Sequence, residues 1–397
     1  MLSAKPAADW MRNSAARTAQ VAARFREKFT GEPELWARAP GRVDLMGSHT
    51  DYNLGYVLTL AISRDTWIAA RPRDDGKVCV YTANLDSQDC FPLERIERSA
   101  DGAWSNYVRG VAWALKEEGL ELRGFDGVIQ STVPLGSGLG ASAALECATA
   151  VVFHALGGWQ LDATRMAQLC LRAECDFVGL NCGILDQFTS CAGRDSCALL
   201  LDCRDISSRP VQLDAGLRVV ICNTRAKREL CGSEYSVRRE QCEEGARQLG
   251  VAALRDASLE QLEAKRRELP GDVVYNRCRF IIEENARVLE LAKVLSGGDR
   301  EAIGRLCAES FRGACELYEI GAPAMSSMMQ AMLAAPGIIG ARQAGAGFGG
   351  CMVAFVEADA VDRFASAVRT SYEAATNLQP EIYAVRAAAG AGLIQDA

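Results

Sequence analysis

The feature that most limits how this chain can fold lies near its middle. A strand-like run, Gly127 to Val133, ends in Pro134-Leu-Gly-Ser-Gly-Leu-Gly-Ala-Ser-Ala143, and a run of mostly small and apolar residues continues to Leu156. Glycines let a backbone take positive φ and come close to a ligand. The helix that follows offers free N–H groups and the positive end of its dipole. Two readings stand for this turn: an anion cradle suited to a polyphosphate, or a tight strand-to-helix corner packed under small residues. It lacks the Gly-Lys-Ser/Thr ending of a Walker A loop and the spacing of a dinucleotide fingerprint.

Short strands and helices alternate around this unit, which implies mixed α/β layers. An amphipathic helix is expected over about 15–29, with Val21, Phe25 and Phe29 on one face. Strand-like runs follow at 37–46, 56–62, 66–70 and 78–82, then a helix over 106–118. Helices are expected at 142–156 and 163–180, and strands at 198–201 and 217–222. The remainder is richer in helix, with strands at 337–341, 351–357 and 381–385. A length of 397 residues suits two domains. The polar stretch Asp202 to Arg209 is the expected divide, giving 1–205 and 206–397. A second glycine run, Gly345-Ala-Gly-Phe-Gly-Gly350, reads as a flexible hairpin or as a close backbone wall against a substrate.

The net charge is -7 and basic residues are scattered, which argues against a nucleic-acid partner. There are 16 cysteines, no Cys-x-x-Cys pair and 2 histidines, so a zinc site is not expected. The cysteines read as reduced, small apolar residues of a cytoplasmic protein. The N-terminal residues lack a secretory pattern. The most apolar stretch, 138–159, contains Glu146 and His154 and reads as a buried helix, with no membrane partner.

Arg38 to Gly55 is dense in polar groups for a segment flanked by strands. Arg42, His49 and Asp51 fall within ten residues, bounded by Gly41 and Gly47. They are poor core residues and good partners for hydroxyls, which both donate and accept, so a binding loop is expected here.

Together these stretches resemble the GHMP kinase superfamily and, within it, the galactokinases. The resemblance rests on Gly41-Arg-Val-Asp-Leu-Met-Gly-Ser-His-Thr-Asp-Tyr-Asn53, Pro134 to Ala143 and Gly345 to Gly350. Two further segments add to it, Cys182-Gly-Ile-Leu-Asp-Gln-Phe188 and Ser233-Glu-Tyr-Ser-Val-Arg238. It implies an α+β, two-domain GHMP kinase fold: an N-terminal domain like ribosomal protein S5 domain 2, a ferredoxin-like C-terminal domain, and an active site between them. The implied reaction is ATP-dependent phosphorylation of galactose at its anomeric hydroxyl. Asp186 would act as base or orient the hydroxyl, and Arg42 would lie beside it and the γ-phosphate. Ser48, His49, Asp51, Gly183 and Tyr235 would join them around the sugar. Pro134, Gly136, Ser137, Gly138, Leu139, Gly140, Ala141, Ser142, Ala143 and Gly347 would hold ATP. Ser142 and Glu174 would hold Mg²⁺. A monomer is expected, or a dimer.

The chain departs from the galactokinase pattern in places. Ser48 stands where a Glu that contacts the C6 hydroxyl is usual, which brings galacturonate and L-arabinose into view as substrates. Asp44 replaces a common Asn, and Lys227 a common Arg. A non-catalytic sugar sensor is the alternative of another class. Against it stand the full-length second motif and the presence of Arg42 and Asp186.

Overall fold

The structure, a computed structural model, describes residues 5–101, 103–180, 182–226 and 231–395. Lys227 and the side chain of Ser233 lie outside what is described. Strands β1 (Leu35–Met46), β2 (Tyr56–Arg73), β3 (Lys77–Thr82), β4 (Ser87–Pro92), β5 (Gly124–Ser131), β6 (Cys197–Asp202) and β7 (Ser207–Gln212) form one sheet. A four-stranded antiparallel sheet holds β8 (Leu217–Asn223), β9 (Ile338–Gln343), β10 (Cys351–Glu357) and β11 (Glu381–Val385), in the order β11-β8-β10-β9. The short β12 (Gly392–Leu393) returns to the first sheet and pairs with β1.

The helices are α1 (Lys5–Lys28), α2 (Ser105–Glu117), α3 (Ala141–Gly157), α4 (Ala163–Arg172), α5 (Leu185–Ala192) and α6 (Cys231–Leu249). They continue with α7 (Leu259–Ala264), α8 (Asp272–Val294), α9 (Arg300–Glu316), α10 (Pro323–Leu333) and α11 (Val361–Thr376). Val21 and Phe25 of α1 close over Trp36, Trp67 and Val128, as the apolar spacing predicts.

Several local expectations change. The runs at 56–62 and 66–70 are one strand, β2, which changes partner along its length. Its start pairs with β6 and its end with β5. The polar Ser63-Arg64-Asp65 break marks the change, and Asp65 there receives Arg17 and Arg38. The helix expected over 163–180 stops at Arg172 and opens into a wide π-helical turn, Ala173–Val178. Gly179, at φ 89°, ends that turn and sends the chain back on itself. The polar stretch 202–209 runs through the β6–β7 hairpin of the first sheet, so the divide at 205/206 falls inside a hairpin. Polarity there reflects an exposed turn and not a linker. The expectation that every cysteine is a free thiol is also corrected. The β3–β4 register sets Cys79 opposite Cys90, and the two form a disulfide.

The two sheets share one apolar layer. Val43, Leu45, Leu58 and Leu60 of the first pack with Val219, Ile221, Val353 and Phe355 of the second, along with Leu291 of α8 and Leu306 of α9. The α+β, two-unit architecture is present, and β1 lies at its seam.

Candidate active site

β1 carries two register irregularities against β2, between Pro40 and Arg42 and between Asp44 and Met46. Such bulges re-aim side chains. Gly41 is required at the first: a Cβ there would sit 2.7 Å from the Leu139 carbonyl oxygen. The strand therefore presses directly on the glycine-rich turn. The Arg42 amide donates to the Leu139 carbonyl (2.9 Å), and Nη1 donates to the Gly138 carbonyl (2.6 Å). Nε and Nη2 both reach Asp186 Oδ1, at 2.8 and 2.6 Å. Burial disfavours the Arg42 charge, but the carboxylates of Asp186, Asp44 and Asp51 outweigh it, so the guanidinium is held more firmly charged than usual. Asp186 lies in the first turn of α5 with its side chain 28% exposed, so it stays open to a substrate.

Asp51 starts a single 3-10 turn, Asp51–Asn53, and its carboxylate lies against Gly183, where a Cβ would sit 1.9 Å from Oδ2. Burial, then the neighbouring Asp186 and Asp44, push Asp51 up to about 6. His49 has φ 67° and both ring nitrogens engaged, Nδ1 with the Tyr52 hydroxyl (2.9 Å) and Nε2 with the Ala346 carbonyl (3.0 Å). A carbonyl only accepts, so Nε2 carries the proton and Nδ1 accepts from Tyr52. Burial brings His49 down to about 4, which keeps the ring neutral. Tyr235, from α6, packs tilted against His49 and edge-on to Tyr52, with ring centroids 5.4 and 5.2 Å apart. Burial and the charge of Asp51 hold its phenol protonated.

In the turn of 134–143, Gly136, Gly138 and Gly140 all take positive φ, and Ser137 Oγ donates to the Pro134 carbonyl (2.7 Å). Leu139 is buried as the plug of the turn. Gly140 caps α3, so Ala141, Ser142 and Ala143 form its first turn, with their amides at the positive end of the helix. Glu174, in the π-helical turn, is within hydrogen-bond reach of Ser142. Burial and Asp186 push Glu174 up to about 7. Gly347 packs under Ile320, whose carbonyl oxygen would lie 2.6 Å from a Cβ.

Sequence reasoning missed what lies beneath. Ser48 is 3% exposed and turns its hydroxyl inward, donating to Asp44 Oδ2 (2.7 Å) and accepting from Arg342 Nη2 (2.9 Å). Arg342 also meets Glu284 Oε1 (3.2 Å) and Ser310 Oγ (3.0 Å), and Arg287 pairs with Glu284 Oε2 (2.8 Å). Asp44 Oδ1 accepts from the Gly345 amide (2.6 Å). This charge-balanced network of two carboxylates and two guanidiniums ties β1, α8, α9 and β9 together. One signal was available: Arg342 interrupts an otherwise uncharged strand.

The arginine–carboxylate pair thus lies against a glycine-rich turn at a helix N-terminus, with the second glycine run beside it, an arrangement suited to phosphoryl transfer. The GHMP kinases N terminal domain matches residues 106–194 and the GHMP kinases C terminal domain residues 288–374. The galactokinase galactose-binding signature matches residues 23–72. The galactokinase of Roseiflexus sp. is 41% identical over 384 residues, covering 96% of this chain and 98% of that protein. That of Chloroflexus aggregans is 42% identical, covering 94% and 96%. The crystal structure of Lactococcus lactis galactokinase complexed with galactose superposes with a TM-score of 0.89 at 31% identity, covering 94% and 98%. A mevalonate kinase at 16% identity and TM-score 0.61 shares the fold alone. This chain belongs to the galactokinase family.

Proposed function

We propose that this chain transfers the γ-phosphoryl group of ATP to the anomeric hydroxyl of galactose, with Asp186 and Arg42 at the reacting atoms. The observation that carries this is the Arg42 fork, which grips Asp186 with one side and the Gly138 carbonyl of the glycine turn with the other. One side chain thus sets the distance between the group that meets the sugar and the backbone that meets the phosphates.

Asp186 accepts or orients the proton of the attacking hydroxyl, and Arg42 offsets charge that develops on the transferring group. Asp51 and Tyr235 hold ring hydroxyls, with Gly183 giving the sugar room. His49, neutral and engaged at both nitrogens, holds the Ala346 carbonyl and so fixes the second glycine loop over the sugar. The first turn of α3 receives the phosphates.

Ser142 and Glu174 suit a magnesium ion. They are hard oxygen donors beside the phosphate cradle, and a cation there would relieve the burial that raises Glu174. When bound, the ion would neutralise phosphate charge.

Galactose is the sugar supported by the galactokinase relatives at 41–42% identity. Ser48 is buried with its hydroxyl turned inward onto Asp44 (2.7 Å), away from a substrate.

The deciding experiment is ADP release with Mg·ATP across galactose, galacturonate, L-arabinose, glucose and N-acetylgalactosamine. Galactose is expected to lead. Asp186→Asn should keep galactose binding and lose about 10²–10⁴ in turnover. A near-wild-type rate in that variant would remove Asp186 from its role.

A further inference from the structure

Two polar side chains beneath the cradle, Gln187 and Glu146, are left unused by this mechanism. Gln187 follows Asp186 on α5 and is fully buried. Its Nε2 donates to two carboxylates, Glu146 Oε2 (3.0 Å) and Glu174 Oε2 (2.5 Å). Glu146 is itself fully buried, on α3, one turn below Ser142. The orientation of the amide follows from its nearer partner: turned over, its oxygen would face the Glu174 oxygen at 2.5 Å.

This arrangement is costly as a piece of core. Gln187 Oε1 and Glu146 Oε1 are both buried without a hydrogen-bond partner. Apolar side chains of the same volume would fill such a space at least as well. What the amide does achieve is to fix Glu174. Gln187 Nε2 and Cys182 Sγ (3.4 Å) both donate to Oε2, and the remaining donor within reach of the carboxylate is Ser142, the other residue read as a metal ligand. Glu174 also sits in a π-helical turn, an element frequent at functional sites.

We propose that Gln187 is a positioning residue, braced on Glu146, that commits one oxygen of Glu174 to the protein and leaves the other for the magnesium ion. The inference rests on the reading of Glu174 as a metal ligand. Gln187 links that ligand to the helix bearing Asp186, so metal and attacking hydroxyl are registered by adjacent residues.

The test is direct metal binding to the full chain. Mn²⁺ is titrated in the presence of a non-hydrolysable ATP analogue, and free Mn²⁺ is read by electron paramagnetic resonance. Gln187→Met should weaken Mn²⁺ binding about 10–100-fold, the range for groups that orient a metal ligand. Galactose affinity by calorimetry should stay within about twofold, because no sugar contact is touched. Glu146→Gln retains an acceptor for Nε2 and should bind Mn²⁺ nearly as the wild type does. If Gln187→Met does not fold, Gln187→Asn, one methylene short of spanning both carboxylates, carries the same expectation. Unchanged Mn²⁺ affinity in the Gln187 variant overturns the proposal, as does equal loss of galactose and Mn²⁺ binding, which would mark a general packing role. A wild type that binds Mn²⁺ and nucleotide yet releases no ADP with any sugar overturns the kinase reading instead, while the Mn²⁺ comparison still decides the role of Gln187.

Discussion

In the turn of residues 134–143 the protein takes hold of carbonyl oxygens, whereas in the loop of residues 345–350 it takes hold of amides as well as carbonyls. Arg42 binds the carbonyls of Gly138 and Leu139, and the amides of Gly136, Gly138 and Gly140 donate to no described backbone acceptor. In the second loop the Gly345 amide is bound to Asp44, that of Phe348 to the Ile320 carbonyl and that of Gly349 to Met325 Sδ. Two loops rich in the same residue thus end up docked differently. The first is docked by its acceptors and keeps donors for an anion. The second is docked through three of its amides and by the Ala346 and Gly350 carbonyls as well, and serves as a wall. Glycine content says that a backbone can come close to something; what the neighbouring side chains bind decides which face of it is left.

The comparison breaks most forcefully at Asp44. Asp44→Ala removes the anchor of the second loop and leaves Arg342 with one carboxylate partner fewer in a fully buried site. A loss of about 3–5 kcal/mol in folding stability is expected by chemical denaturation. A variant within 1 kcal/mol of wild type, about the median for any substitution, would deny the network its structural role.

Ser48→Glu sharpens the same point. It sets a second carboxylate beside Asp44 where two arginines already face two acids, and should cost about 2–4 kcal/mol. Combined with Asp44→Asn it moves the charge by four residues without adding one, and most of that loss should return. Purely additive losses in the double variant would show that the two positions do not share a charge.

Gly140→Val tests the first loop alone. Its φ of 73°, and a Cβ that would sit 3.3 Å from Arg42 Cγ, make a β-branched residue strained there. The loss of about 1–3 kcal/mol should read as a roughly 5–150-fold drop in kcat/KM for ATP, with galactose affinity preserved. If galactose affinity fell equally, the loop would serve both substrates.

The smallest effect is on pH. Asp51 and Glu174 are held at about 6 and about 7, above their ordinary values. Each binds its proton more tightly folded than unfolded, so the stability it contributes is complete below pH 4 and declines as pH rises through 6 to 7. Thermal melts of the ligand-free protein should fall by a few degrees between pH 5 and pH 8. Asp51→Asn should flatten part of that slope, and a rise in melting temperature across the same range would contradict the raised values.

Much of the site was readable because it is local. The glycines of 134–143 announce a backbone turn, and Arg42, His49 and Asp51 are crowded into one polar segment that no core would accept. The hairpin at 202–212 and the single long β2 were not readable, since polarity marks an exposed turn and a change of strand partner as readily as it marks a domain boundary. Ser48 was legible as an unusual residue but not as a buried one. Its partners Asp44 and Arg342 are 4 and 294 residues away, and only the first is near in sequence.

The sequence by itself determined most of the elements, because helix, strand and turn preferences act over a few neighbours, and its ordered motifs carried the family resemblance and the residue types that phosphoryl transfer requires. Only the tertiary structure decided which donors remain free. That choice depends on Arg42 reaching Asp186, Asp44 reaching Gly345 and Gln187 reaching Glu174, contacts 144, 301 and 13 residues apart in the chain. A hydrogen bond works over about 3 Å in space, whatever the distance along the chain.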